Sequence, residues 1–310
     1  MGIVVIGNVF VDIKGFPNGK YNPGGRNAGR VMTMHGGVGR NVAADIAGIG
    51  LHPAFVSLVD DTDEGEAVIK KLAVRGTNTD YILKTPGGMG MWLAVFDETG
   101  DIVASISNRP DSSAMERLIE EKGDEIFADC DSIVLEVDLD SGIVKDILRF
   151  AKKYGKKVFG VVANISIAAK RREFLQEIDC FVCNLEEAGH LFLSRCDALS
   201  PEEICAELRK DIESAKIPSM VITLGSKGAV YASLAGEYGV FPARKVNVCD
   251  TTGAGDAFCA GIAIGLTYGK TLREAVEIGT RLAASVIMIA ENTCPKFLPT
   301  ELGLDINTEN

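Results

Sequence analysis

The run Val248-Cys249-Asp250-Thr251-Thr252-Gly253-Ala254-Gly255-Asp256-Ala257-Phe258 leads into a small, apolar stretch, Ala260-Gly261-Ile262-Ala263-Ile264-Gly265-Leu266. Glycines and an alanine at a helix start leave the backbone N–H groups of residues 253–255 uncovered. With the positive end of the helix dipole, those donors make an anion site. Asp256 falls in the first turn beside it. A carboxylate is poorly placed there if its only task is to sit near phosphate. It is well placed as a base that takes a proton from an attacking hydroxyl while the N–H groups hold developing phosphoryl charge. A bare Gly-Ala-Gly-Asp also suits a plain turn with an acidic helix start, but the longer string is far more specific.

Other runs carry weaker signals. Gly36-Gly37-Val38-Gly39-Arg40-Asn41-Val42-Ala43 reads as a tight turn through which backbone approaches a polyol. Asn41 adds an amide able to donate and to accept. A helix-capping loop is the plainer alternative. Asp12 is an acid in a polar loop. Asn184-Leu185-Glu186-Glu187 follows an apolar run, and its acids suit a first helical turn. Thr223-Leu224-Gly225-Ser226-Lys227-Gly228 has the form of a strand-to-hairpin turn. Cys180 and Cys183 have C-x-x-C spacing, yet they sit in an apolar strand-like run with no second pair or His cluster. Reduced thiols are the expectation, not zinc. His35, His52 and His190 are dispersed and receive no role.

The elements that must hold these residues alternate. Ile3–Ile6, Ala54–Val59, Ser132–Val137, Lys157–Val162, Asp179–Cys183 and Met220–Leu224 are short apolar runs bounded by polar or turn residues. Between them, helices are predicted over Val42–Ile49, Glu64–Val74, Ser141–Lys153 and Pro201–Ser214. Buried strands alternating with amphipathic helices predict an α/β fold, a mainly parallel sheet with helices on both faces. Residues 11–35 and 88–108 break the rhythm. The first is rich in Gly, Asn and Pro, with extended pieces at Val11–Lys14 and Arg30–His35. The second is a hairpin of Trp92–Phe96 and Ile102–Ile106 around Asp97–Asp101. Together they predict a small β-sheet lid on an otherwise single domain spanning 1–310. Trp92 within it is a candidate for stacking on substrate, for a lid-to-lid homodimer contact, or for the core.

The string ending in Asp256 resembles the signature of the PfkB (ribokinase-like) family of carbohydrate and nucleoside kinases. The resemblance extends over nearly the whole chain and implies a ribokinase-like fold. It implies that Asp256 is the catalytic base and that the amides of Gly253, Ala254 and Gly255 form the anion hole. The 36–43 run resembles the family's N-terminal signature, which puts Gly36, Gly37 and Asn41 on the sugar. Asp12 matches the sugar-binding Asp, and Glu136, at a strand end, matches a substrate contact of ribokinases. The family's N-x-x-E motif gives Asn184 and Glu187 a role at phosphate and, indirectly, at Mg²⁺. Thr223, Gly225 and Gly228 fall in the ATP loop. Asp250 and Thr252 match positions that help bind a monovalent cation, K⁺, in ribokinases.

Composition narrows the partners. A net charge of −11 over 310 residues argues against nucleic-acid and anionic-membrane surfaces. No apolar run approaches the roughly 20 residues of a membrane span. The start, Gly2-Ile3-Val4-Val5-Ile6-Gly7, reads as a strand and lacks the features of a signal peptide, so a cytoplasmic setting is expected. There is no G-x-x-x-x-G-K-[ST] and no protein-kinase motif pair.

The resulting expectation is an ATP- and Mg²⁺-dependent kinase acting on a hydroxymethyl hydroxyl of a ribosyl nucleoside or sugar. Three details resemble pseudouridine kinases and favour pseudouridine: Asn22-Pro23-Gly24, the Gly-Gly-Val-Gly-Arg-Asn loop, and Ala290-Glu291-Asn292-Thr293-Cys294-Pro295. Phe10, where these kinases commonly carry Asn, suits a base better than a free sugar. The rivals are a ribokinase- or fructokinase-type enzyme and, from another class, a non-catalytic sugar- or nucleoside-binding regulator on the same fold. The regulator has no need of a base at the anion hole.

Overall fold

The computed structural model of the chain describes residues 2–192 and 199–306. The chain opens with β1 (Val4–Ile6) and then departs for β2 (Phe10–Pro17) and β3 (Gly29–Gly36). Helix α1 (Val38–Gly48), β4 (Ala54–Val59), α2 (Asp63–Arg75) and β5 (Ile82–Lys84) follow. A second departure makes β6 (Gly90–Phe96) and β7 (Ile102–Asn108). The chain then runs through α3 (Ser113–Phe127), β8 (Ser132–Glu136), α4 (Ser141–Tyr154), β9 (Lys157–Val161) and α5 (Ile165–Ala168). Next come β10 (Cys180–Asn184), α6 (Leu185–Phe192), α7 (Pro201–Ala215) and β11 (Ser219–Thr223). The hairpin β12 (Ala229–Ser233) and β13 (Tyr238–Phe241) precedes α8 (Ala254–Thr267) and α9 (Leu272–Val286).

Nine strands form one sheet in the order β13-β12-β11-β10-β9-β8-β1-β4-β5. It is parallel except at the β11-β12-β13 edge. Alternate side chains of each strand feed two separate cores, as the pleat requires. Val4 and Ile6 pack with α3, α4, α6 and α7, while Ile3 and Val5 pack with α1, α2, α8 and α9. The predicted α/β layering with helices on both faces is therefore the observed one.

The two departures meet in a separate four-stranded sheet, order β3-β2-β6-β7. Its central pair, β2 and β6, is parallel, with Asp12 opposite Trp92. Strand parity sorts its faces. Phe10, Asp12, Lys14 and Trp92 share one face. Val31, Met91, Leu93 and Ile106 share the other, where they are 40 to 71% exposed.

One boundary differs from expectation. Helix α1 begins at Val38, four residues before the predicted Val42, with Gly37 as its cap. The reason is tertiary. A Cβ on Gly39 would stand 2.6 Å from the Gly7 Cα, so this glycine lets the first turn of α1 lie directly on the turn after β1. Asn41 is consequently a helical residue, not a loop one.

Candidate active site

The Gly-Ala-Gly run forms a turn at the head of α8. Gly253 is the cap, with φ of 83°, a left-handed conformation that favours glycine. A side chain there would also strike the carbonyl of Asn292, 2.1 Å from a Cβ. Ala254, Gly255 and Asp256 are the first three helical residues. The donor set differs from expectation at one atom: the Ala254 N–H is turned to the Thr251 carbonyl at 3.3 Å. The N–H groups of Gly253 and Gly255 have no acceptor among the described residues. Helix α8 itself is apolar on every side because it is buried between the sheet, α1 and α9.

Asp256 is partly exposed to the cleft but closely surrounded. Asn41 Nδ2 donates to its Oδ2 at 2.7 Å. Burial, with Glu187 and Asp12 nearby, pushes its carboxyl up to about 7, against the opposing pull of Asn41 and Arg40. Asp12, from β2, is likewise pushed up to about 6, chiefly by burial. Gly36 lies against the Asp12 carboxylate. A carboxyl raised toward neutrality beside a helix N-terminus, as Asp256 is, suits general-base chemistry on a hydroxyl.

Two clefts meet here. The first, of about 550 Å³, includes Asp12, Gly37, Asn41, Asn184, Glu187 and Asp256 in its lining. The second, of about 700 Å³, takes in Gly225, Gly228, Ala254 and the apolar wall of Phe258, Ala283 and Ile287. Thr223 and Gly255 border both. A group held in one cleft thus faces the other across the turn at Gly255.

Asn184 and Glu187 close on each other at the junction of β10 and α6. Glu187 Oε2 accepts from the Asn184 N–H at 2.8 Å, and Asn184 Oδ1 accepts from the Glu187 N–H at 2.9 Å. Burial raises the Glu187 carboxyl. Among the described residues no group of three or more His, Cys, Asp or Glu forms a metal cage. A hard cation arriving on nucleotide phosphates needs only one or two carboxylates, so this donor set fits Mg²⁺.

Three predicted residues, Glu136, Asp250 and Thr252, have partners of their own. Glu136 does not line the cleft. Its carboxylate is fully buried and accepts from Asn8 N–H at 2.9 Å and Asn8 Nδ2 at 3.3 Å. It supports the Gly7–Asn8 turn on which α1 rests. At the cation position, Asp250 Oδ1 accepts from the Thr252 N–H at 2.8 Å, while Thr252 Oγ1 accepts from Lys14 Nζ at 3.0 Å. An ammonium from the small sheet therefore already contacts Thr252.

Sequence reasoning passed over Lys14, Arg40, Arg109 and Asp138. Lys14 was legible by parity, two residues beyond Asp12 on the same strand. Arg109 directly follows β7 and lines the first cleft, where its Nη2 donates to the Asp138 carboxylate at 3.0 Å and carbonyl at 3.1 Å. Asp138 also accepts from the N–H groups of Ala163 and Asn164. Nothing local in the sequence announces that pair.

Known proteins fit this geometry. The family model described as pfkB family carbohydrate kinase matches residues 2–292. The chain is 34% identical to a guanosine-inosine kinase of Exiguobacterium acetylicum over 94% of its own length and 95% of the relative's. It is 27% identical to the pseudouridine kinase of Escherichia coli K12, covering 89% and 87%. Arabidopsis thaliana ribokinase complexed with ribose and ATP shares the fold, with a TM-score of 0.81 at 20% identity over 98% and 99% of the two chains. No described helix is long and apolar enough to cross a membrane. A family match spanning nearly the full length, on a ribokinase-like fold, settles the affiliation: the chain belongs to the PfkB family of carbohydrate and nucleoside kinases.

Proposed function

We propose that the protein transfers the γ-phosphoryl group of ATP to the hydroxymethyl hydroxyl of a ribonucleoside, with Asp256 as general base. The observation that carries this reading is that Gly255, with its free N–H, borders both clefts, and Asp256 lines the first cleft directly beside it. The nucleotide lies in the second cleft, its phosphates over Thr223, Gly225 and Gly228 and its base against Phe258, Ala283 and Ile287. The nucleoside lies in the first, with its sugar among Asp12, Gly37 and Asn41. Its hydroxyl oxygen attacks the γ-phosphorus, the bond to the β–γ bridging oxygen breaks, and ADP leaves. The proton passes to Asp256 as the O–P bond forms, and the amides of Gly253 and Gly255 hold the charge on the phosphoryl oxygens. Mg²⁺, when bound with the nucleotide, supplies charge neutralisation, and Asn184 and Glu187 are the residues that would hold it.

The small sheet acts as a lid, since its inner face brings Phe10, Asp12 and Trp92 to the sugar cleft. Its outer apolar face is suited to a homodimer contact. A cytoplasmic setting suits the free thiols of the described cysteines.

Within nucleosides, 6-oxopurines come first. The relative at 34% identity is named for guanosine and inosine. Phe10 and Trp92 offer flat surfaces for a base, and Arg109 keeps donors beyond those given to Asp138. Those donors suit the O6 or N7 acceptor of a 6-oxopurine, and the 6-amino group of adenine opposes them. Pseudouridine, favoured from the sequence, is the second reading, supported by the relative at 27% identity. An ADP-release assay over inosine, guanosine, adenosine, pseudouridine, ribose and fructose tests both. Inosine or guanosine should rank first, and no turnover on any of them would overturn the kinase reading.

A further inference from the structure

Arg40 belongs to neither cleft, yet its guanidinium touches two amides that bracket the site. Its side chain is 1% exposed. Nη1 donates to Asn41 Oδ1 at 2.9 Å and to Asn292 Oδ1 at 3.3 Å. We propose that Arg40 is a positioning residue, setting the orientation of the Asn41 amide so that its NH₂ end faces Asp256.

The Asn41 amide has a donor end and an acceptor end. Its two ends are nearly isosteric, so shape alone does not choose between them. A guanidinium has donors only. The oxygen of Asn41 must therefore turn to Arg40, and Nδ2 is left to donate to Asp256 Oδ2 at 2.7 Å. With the amide reversed, an oxygen would face the carboxylate and an NH₂ would face the guanidinium, two unfavourable contacts instead of two hydrogen bonds. One acceptor site of the Asn41 oxygen is thus committed to Arg40.

The same nitrogen orients a second amide. Asn292 gives its oxygen to Arg40, and its Nδ2 donates to the His35 carbonyl at 2.9 Å. His35 lies in β3, paired with Val11 beside Asp12. The backbone carbonyl of Asn292 lies where a side chain on Gly253 would stand. One buried cation therefore joins the partner of the base, the strand next to the sugar acid, and the segment behind the anion turn.

The charges around this group fix the sign of its effect. Asp45 on α1 and Arg75 on α2 face Arg40, and burial pulls its guanidinium down to about 10. Asp12 and Glu187 push Asp256 toward its neutral form, whereas Asn41 and Arg40 favour the carboxylate. Loss of Arg40 removes both its charge and the lock on Asn41. The acidic limb of kcat/KM should then move to higher pH.

The inference rests on Asp256 as the base, so Arg40→Met, Arg40→Lys and Asp256→Asn are measured together in the full chain. Circular dichroism checks folding, and the readouts are kcat, KM and the pH profile. Arg40→Met is expected to lose at least about tenfold in kcat, the scale of a misplaced catalytic group, with KM for ATP little changed. Its acidic limb moves up in pH. Arg40→Lys keeps the charge but not the planar fork, so it should recover part of the rate and most of the limb. A folded Arg40→Met with wild-type kcat and limb overturns the inference. Should that variant not fold, a folded Arg40→Gln variant, which loses the charge and the donor-only lock, does the same if its kcat and limb are unchanged. An active Asp256→Asn sinks the base itself, whereas an inactive one beside an unmoved Arg40→Met limb sinks only the role of Arg40.

Discussion

Asn41 Nδ2 and Asp256 Oδ2 lie 2.7 Å apart across 215 positions of sequence. This contact joins the first turn of α1 to the first turn of α8, so both family signatures converge on one carboxylate. It also stabilises the ionised form of a group that its surroundings otherwise push toward neutrality.

Asp256 is expected to govern the acidic side of the rate profile. A base works deprotonated, and its carboxyl stands at about 7. Activity should therefore be high above that pH and fall as the pH drops through it. Asp256→Asn should cost about 10²–10⁴-fold in kcat while leaving nucleoside affinity largely intact. Near-wild-type turnover, or a profile flat from pH 5 to 8 in the wild type, contradicts the assignment.

Glu187→Gln separates metal from base. A glutamine oxygen still accepts the Asn184 N–H, so the turn at the head of α6 should survive. Magnesium titrations of the rate should show a higher midpoint with KM for the nucleoside little altered. Removing a negative charge near Asp256 should also lower its carboxyl and shift the acidic limb to lower pH. If midpoint and limb both stay in place, Glu187 lies outside the site's electrostatics.

Much of this was legible because local chemistry and tertiary role coincide. The strand and helix alternation, the Gly-Ala-Gly turn and the acidic first turn of α6 each need only neighbouring residues. The illegible parts depend on distant partners. Glu136 at a strand end reads like a residue facing substrate, but Asn8 claims its carboxylate from 128 positions away. The start of α1 was hidden because Gly39 is a poor helix former whose place is decided by contact with Gly7. Asp250 and Thr252 read as cation ligands, and only the pairing of the small sheet brings Lys14 onto Thr252.

The outer face of the small sheet yields a prediction about assembly. Ile106 is 71% exposed, opposite Leu93 on the neighbouring strand. Contiguous exposed apolar groups of this kind mark contact surfaces. The wild type should sediment as a dimer, and Ile106→Glu should shift it toward monomer. A monomeric wild type at micromolar concentration would leave that face without the proposed partner.

The proposed nucleoside preference draws on Arg109 and Asp138 in the lining of the first cleft. Arg109 gives Nη2 to Asp138, a carboxylate with no solvent exposure of its side chain. That bond fixes the plane of the guanidinium while Nε and Nη1 remain to be satisfied by a ligand. A free ribose held by Asp12, Gly37 and Asn41 carries no base to lie against Phe10 and Trp92, so nucleosides should exceed ribose in kcat/KM by at least about tenfold, or about 1.4 kcal/mol. Inosine should exceed adenosine, whose 6-amino group meets donors with a donor. Arg109→Lys keeps a cation for Asp138 but loses those two donors, and an acceptor left unsatisfied costs about 1–3 kcal/mol. The variant should therefore narrow the inosine-to-adenosine ratio while changing turnover of ribose little. A wild type that prefers ribose refutes the nucleoside reading and leaves the kinase chemistry standing. An unchanged ratio in Arg109→Lys removes Arg109 from base recognition and leaves the nucleoside reading intact.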